Sequence, residues 1–299
     1  MSILSQKNCN ICPRSCGAER INRRGLCGAG EFPRVARAAL HMWEEPCISG
    51  KNGSGTIFFS GCSLKCVFCQ NHEISHSMLG EEISEEKLSL LFLRLEDMGA
   101  ENINLVNPTH YTANVIRALD MVKHKLKVPV LWNTGGYEKA QTIRALLGYV
   151  DIFLPDLKYI TPEISWRYSG AENYFEFASL SLKEMFDVAG YPQFDKNGMI
   201  KSGVLVRHLV LPSNVSESKK VIDYLCENYD TEKLWLSLMS QYFPTHKVYE
   251  YPEINRKLTT LEYNRVLEYA KSRGIKNGFF QQRDSSESSY VPEFSDKVF

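Results

Sequence analysis

Three cysteines in the stretch GCSLKCVFCQN constrain this chain more than any other feature: Cys62, three residues, Cys66, two residues, Cys69. Thiolates so close together on one loop can hold three corners of an iron–sulfur cube and leave the fourth iron without a cysteine. The same three with His72 as a fourth ligand would also satisfy tetrahedral zinc. The nine cysteines lie at positions 9, 12, 16, 27, 47, 62, 66, 69 and 226. An odd number crowded into the first quarter of the chain does not suit a disulfide framework. Under reducing conditions such spacing reads as metal or cluster ligation.

The loop follows an apolar run, and such runs recur. Short segments of strand length alternate with helical patterns from about residue 55, the mark of repeated βα units around a parallel sheet. Six strands are predicted, at Thr56–Gly61, Asn102–Asn107, Val128–Asn133, Val150–Asp156, Val204–Leu211 and Leu234–Gln241. Their near-continuous apolar character suits burial on both faces. Six units are too few for a closed eight-stranded barrel, so the expected fold is α/β, a partial and open (β/α)6 barrel of the TIM type. Residues 1–50, rich in Cys, Arg and Gly with little apolar periodicity, form the other expected unit, a small metal-organised segment ahead of a barrel over 51–299. Ser84, Thr112, Ser216 and Thr259 are expected helix caps, Glu262 completing a capping box with Thr259. Gly99, Gly148 and Gly274 are expected helix stops. Asn197-Gly198 predicts a small hairpin, and Tyr290, Phe294 and Phe299 are expected anchors for the polar tail.

Lys plus Arg and Asp plus Glu balance at 35 each, so no overall field draws in nucleic acid or an anionic membrane. Only short basic candidates exist, such as Arg20, Arg23 and Arg24. The opening MSILSQKNCN has neither signal-peptide nor presequence character. No stretch approaches the roughly 20 apolar residues that span a bilayer. A soluble, cytoplasmic protein without a nucleic-acid or membrane partner is the expectation.

A second cysteine group, Cys9, Cys12, Cys16 and Cys27, offers four thiolates, enough to close a site completely. Zinc, an auxiliary [4Fe–4S] cluster and free thiols are the open readings. In DIFLPDLKYI, Asp156 and Lys158 stand two apart at a strand end and therefore point the same way. Charges there call for each other or for a ligand. Glu44 and Glu45 are read as a solvated pair in preference to cavity acids, Cys47 as a free structural thiol and Cys226 as a core thiol. His110 and His208 fall near strand ends, where ligand contact and a plain hydrogen-bonded role are both open. Tyr111 is open between ligand contact and packing.

The cluster loop, FFSGCSLKCVFCQN, resembles that of radical S-adenosylmethionine (SAM) enzymes, and specifically the pyruvate formate-lyase activating enzyme group. The similarity runs in matching order over about residues 55–245. TGG after VPVLWN (Asn133, then Thr134 to Gly136) resembles a family turn, and DLK (Asp156 to Lys158) a stretch contributing to the SAM site. VRHLVLP resembles the strand that presents an arginine, here Arg207. The resemblance places Phe68 near the adenine and a further SAM contact at Gln241 or Tyr242. Where the group carries Gly-Gly-Glu, this chain has Asn107-Pro108-Thr109-His110, making Asn107 and Thr109 the stand-ins toward the SAM amino group. The leader with Cys12-Pro13-Arg14 and Cys27-Gly28 resembles one found in a branch of the family. The resemblance implies a [4Fe–4S] cluster on Cys62, Cys66 and Cys69 and reductive cleavage of SAM. The resulting 5′-deoxyadenosyl radical would abstract hydrogen from a partner, a glycyl radical enzyme. Flavodoxin or ferredoxin would be the electron donor. Two alternatives stand beside this: a radical SAM enzyme acting on a peptide, metabolite or nucleotide, and a non-catalytic zinc scaffold.

Overall fold

The computed structural model describes residues 4–280 and Phe294. Its strands are β1 (Arg34–His41), β2 (Ser54–Phe59), β3 (Glu81–Glu82), β4 (Ile103–Val106), β5 (Val130–Thr134), β6 (Ile152–Pro155), β7 (Gln193–Phe194), β8 (Ile200–Leu209), β9 (Trp235–Met239) and β10 (Asn277–Phe280). They form one sheet in the order β10-β9-β8-β6-β5-β4-β2-β1-β3, with β7 on β8. From β2 to β10 the path keeps chain order and every pairing along it is parallel. Every residue of β2, β5 and β6 is buried, as expected of strands covered on both faces. The fold is therefore α/β with a sheet dominated by parallel strands, and it does not close into a barrel.

The helices are α1 (Pro46–Ser49), α2 (His72–Ser75), α3 (Glu85–Asp97), α4 (Thr112–Val122), α5 (Ala140–Arg144), α6 (Pro162–Ser169), α7 (Tyr174–Ala189), α8 (Val215–Asn228) and α9 (Thr260–Ser272). Ser84 caps α3 by accepting from the Lys87 amide, and Thr259 forms the expected capping box with Glu262. Two expected caps shift. Thr112 is the first residue of α4, its hydroxyl turned to the Thr109 carbonyl at 2.6 Å. Ser216 lies within α8, whose cap is Asn214. Gly99 and Gly274 follow α3 and α9 with positive φ, while Gly148 falls in the turns beyond α5. Asn197-Gly198 does turn between β7 and β8.

Three strands were not expected, among them the two-residue β3 on the edge beside β1. β1 runs antiparallel to β2 and carries a bulge between Val35 and Arg37, which breaks its alternation. β10 pairs in parallel with β9 although Gly278 sits in its middle. A Cβ at Gly278 would collide with the Leu236 carbonyl, so glycine is what lets the two backbones meet. Phe294 does anchor, its ring 5.5 Å from Phe58 beside Ala36 and Ile74. Tyr290 and Phe299 lie outside the described residues.

The N-terminal segment is tied to the sheet's helices by polar contacts. Gln6 Nε2 donates to Asn114 Oδ1 at 3.0 Å, and the Thr142 hydroxyl to the Ile11 carbonyl at 2.6 Å. Arg20 belongs to no basic patch: it is 1% exposed, lies 5.3 Å over the Tyr111 ring and donates to the carbonyls of Gly30 and His110.

Thr259→Ala should lower stability by about 1 kcal/mol, read as a lower denaturant midpoint with an unchanged slope. Glu262→Ala should cost more, because Glu262 also accepts from Arg256 and from the Ser213 amide. Equal losses in the two variants would contradict this accounting.

Candidate active site

The carboxyl ends of the parallel strands open into two adjoining cavities of about 230 and 150 Å³ that share Cys66, Cys69, Asn133, Asp156, Lys158 and Arg207. Active-site groups gather at this end of such sheets because the strand-to-helix loops converge there. The smaller cavity adds Cys62 and Asn107, so all three cysteines of the loop face one space. The larger adds Phe68, Gln241, Trp43 and Glu44.

The cysteine loop is held from several sides. Gly61 has φ +91°, and a Cβ there would come within 2.5 Å of the Cys27 carbonyl oxygen. Only glycine lets this turn pass so close. That same carbonyl accepts from the Cys62 amide at 3.1 Å, and the Ile74 carbonyl from the Gly61 amide at 2.9 Å. Arg14 donates to the carbonyls of Ser63 at 2.9 Å and Gly170 at 2.6 Å. The hydroxyls of Ser169 and Ser75 donate to the sulfurs of Cys66 and Cys69 at 2.9 and 3.3 Å. Burial pushes the Cys66 thiol up against the pull of the Lys158 ammonium, and burial with the charge of Cys66 pushes Cys69 up to about 12. Such thiols lose their protons to a metal centre instead of to water.

The three cysteines are free of disulfides and present sulfur alone to one cavity, which is the donor set of a three-cysteine iron–sulfur site. Among the described residues no three His, Cys, Asp or Glu side chains, these cysteines included, are gathered closely enough to hold one ion. His72 instead stacks on His246 with ring centroids 4.8 Å apart.

Opposite the cysteines stands a network of charges, each side chain between 11 and 15% exposed. Arg207, on β8, donates to Asp156 at 3.0 Å, to Asn133 at 2.5 Å and to Glu44 at 3.4 Å. Lys158 pairs with the other oxygen of Asp156. Glu44 accepts also from Asn104 at 2.9 Å and from Asn133 at 3.3 Å. Although burial would push the Asp156 carboxyl up, Lys158 and Arg207 hold it below the usual carboxylate range. Burial likewise would lower Arg207, yet Asp156, Glu45 and Glu44 hold it raised. Glu44 and Glu45 thus face the interior and not solvent, a correction to the sequence reading.

Other expected residues are placed as follows. Asn107, with φ +55°, donates to the Gly61 carbonyl at 2.5 Å. Thr109 does not reach either cavity: its hydroxyl donates at 2.8 Å to Glu138, a fully buried acid that also takes Trp132 and Thr134. The turn after Asn107 carries Thr109 beneath the strand ends instead of over them. His110 and His208 are buried and hydrogen-bonded, to the Ser60 carbonyl and to the Leu157 carbonyl with Ser218. Tyr111 packs at 5.8 Å from Phe59, and Tyr242 backs Phe68 at 6.2 Å. Cys47 is buried, its thiol pushed up to about 12 by burial, and Cys226 is half-buried on α8. Glu138, Ser75 and Ser169 are functional-region residues that sequence reasoning missed, since nothing in their spacing marks them.

Cys9, Cys12 and Cys27 are buried and Cys16 is half-buried. Burial, reinforced by the neighbouring thiols, pushes Cys12 up to about 12. Burial would raise Cys16 as well, but the amides of Leu26 and Ala18 hold it below its usual value.

Residues 56–189 match the model of the Radical SAM superfamily. The chain is 30% identical over 279 residues to "Uncharacterized protein MJ0674" of Methanocaldococcus jannaschii, covering 90% of this chain and 76% of that one. Solved structures with partial likeness include Streptococcus suis SuiB bound to S-adenosylmethionine, at TM-score 0.48 and 16% identity. That match covers 74% of this chain and 47% of SuiB, so the chain spans about half of SuiB's length. Methylornithine synthase (PylB) matches at TM-score 0.48 and 11% identity, over 79% of this chain and 74% of that one.

Asp156→Asn leaves Arg207 and Lys158 without their shared counter-charge and should cost about 3–5 kcal/mol at pH 7. The Asp156 pKa is lower folded than unfolded. Its stabilisation is therefore complete above the unfolded value of about 4 and is lost as pH falls through the folded value. The native chain should lose stability more steeply than the variant on acidification below about pH 4. Equal midpoints at pH 7 would show that the pair contributes nothing.

Proposed function

The chain belongs to the radical SAM superfamily, and we propose that it is an activating-type member whose cluster is held by Cys62, Cys66 and Cys69. The observation that carries this reading is one shared space: the three-cysteine loop and the Asp156–Lys158–Arg207 network line the same cavities. The family implies a [4Fe–4S] cluster and SAM, and SAM-based radical chemistry. Cys62, Cys66 and Cys69 would hold that cluster, and its chemistry there would be delivery of the electron for reductive cleavage of SAM.

The chain's own residues position and enclose the reactants. Phe68, 6% exposed and backed by Tyr168 and Tyr242, offers an aromatic face to the adenine. Asp156, Lys158 and Arg207 offer paired charges to the zwitterionic methionyl end. Asn133, bonded to Arg207 and Glu44, holds that array in place, and Gln241 closes the far wall by accepting from Gln70 at 2.8 Å. Asn107 takes the place toward the SAM amino group that Gly-Gly-Glu fills in the activating enzymes. Its side-chain amide nitrogen is turned to the Gly61 carbonyl, which leaves Oδ1 and the backbone carbonyl as its acceptors. Ser75 and Ser169, donating to the sulfurs of Cys69 and Cys66, would raise the reduction potential of a cluster held there relative to bare thiolates.

Residues 1–50, joined to the sheet through β1, are proposed as a cysteine-ligated segment holding zinc or an auxiliary cluster at Cys9, Cys12, Cys16 and Cys27. The proximity of Cys27 to Cys62 supports a relay role. The electron donor is a reduced flavodoxin or ferredoxin, and the hydrogen is taken from a glycyl radical enzyme. Among the described residues no helix is long and apolar enough to cross a membrane.

The anaerobically reconstituted chain, given dithionite and SAM, should form 5′-deoxyadenosine, and the Cys62→Ala, Cys66→Ala, Cys69→Ala variant should lose at least a hundredfold of that product. Equal product from both would overturn the assignment of the cluster loop. The activating role is read separately, as a glycyl doublet in the EPR spectrum of a partner incubated with the active chain.

A further inference from the structure

Beyond the larger cavity lies a third compartment of about 100 Å³, continuous with it through Trp43, Glu44, Arg207, Met239 and Gln241. Its remaining lining includes Glu45, Ser237 and Phe279. Two polar atoms here are buried without a hydrogen-bond partner, Glu45 Oε2 and Ser237 Oγ. Ser237 is 1% exposed and near enough to Glu45 for its hydroxyl to lower that carboxyl's pKa, although neither Ser237 Oγ nor Glu45 Oε2 has a well-formed hydrogen bond. A buried polar atom left unpaired costs about 1–3 kcal/mol, so two facing one small cavity mark a place where a ligand completes the bonding.

The sign of the missing partner follows from the charges. The Arg207 hydrogen bonds go to Asp156, Glu44 and Asn133, and Lys158 goes to Asp156. Two cations therefore face three carboxylates, Asp156, Glu44 and Glu45, with Glu45 the acid left over. Burial, with the neighbouring Glu44 charge, raises the Glu45 pKa against the pull of Arg207. An arriving cation reverses that balance. Trp43 and Phe279 add aromatic walls, which suit a cation as well.

We propose that this compartment receives a cationic group of the substrate, an alkylammonium or alkylguanidinium, held by Glu45 and Ser237. The substrate is then a polypeptide segment presenting a Lys or Arg side chain to this compartment, with its reacting carbon in the larger cavity between Glu44 and the cysteines. This assignment rests on the radical SAM reading for the reaction, though not for the binding.

The test is calorimetric titration of n-butylguanidinium chloride into the cluster-reconstituted chain, with n-butylurea as the neutral isostere. 5′-Deoxyadenosine formation is measured on the same preparations. The expected result is saturable binding of the guanidinium at least tenfold tighter than of the urea, weakened at least tenfold by Glu45→Gln and at least threefold by Ser237→Ala. Glu163→Gln, an exposed acid on α6, should leave it unchanged. Glu45→Gln removes an unpaired buried carboxylate and should melt no lower than the native chain. Equal affinity for the urea, no binding by the native chain, or unchanged binding in both variants overturns the proposal. Binding as expected from a preparation that makes no 5′-deoxyadenosine leaves the cation site standing and sinks the reaction assigned to it.

Discussion

The Arg207 guanidinium fixes the geometry of everything around it. Its hydrogen bonds reach the end of β6 through Asp156, the end of β5 through Asn133 and the segment before α1 through Glu44. Three separately folded stretches are thereby locked to β8 at one point. Charges at 11–15% exposure interact through a medium far less polarisable than water, so each relies on the others for compensation. Removing one would leave its partners stranded, and a site built this way is rigid by necessity.

The N-terminal segment is part of that architecture. The Cys27 carbonyl meets the Cys62 amide, and Arg14 grips the carbonyls of Ser63 and Gly170. The loop that opens the site is thus shaped by residues far ahead of it in the chain. The glycine at position 61 is the local expression of that contact, since any side chain there would force the two segments apart.

Much of this was legible in the sequence. The apolar runs of β2, β4, β5, β6, β8 and β9 are readable because strands largely buried on both faces carry few polar residues. The Cys62–Cys69 spacing, the Asp156–Lys158 pair and Arg207 were readable because reactive types stand at the ends of those runs, and all converge on one space. β1 was not readable, because its bulge destroys alternation. β10 was missed because Gly278 and its short span look like a turn. Ser169 is defined by a partner 103 residues away, Glu138 in part by one 29 residues away, and Glu45 and Ser237 by polar atoms without a well-formed bond, information that spacing along a chain does not carry. Glu44 and Glu45 misled for the same reason. Paired acids near Gly and Pro look solvated until Arg207 and Asn104 come up from other strands to meet them.

We propose that a cluster held by Cys62, Cys66 and Cys69 would keep one iron without a cysteine, and that SAM would reach it from the cavity these residues share with Arg207. Electron–nuclear double resonance on the reduced, reconstituted chain tests this directly, with SAM carrying 15N at its amino group and 17O at its carboxylate. The account predicts hyperfine coupling of both labels to the cluster. Saturating SAM with no coupling from either label would contradict it.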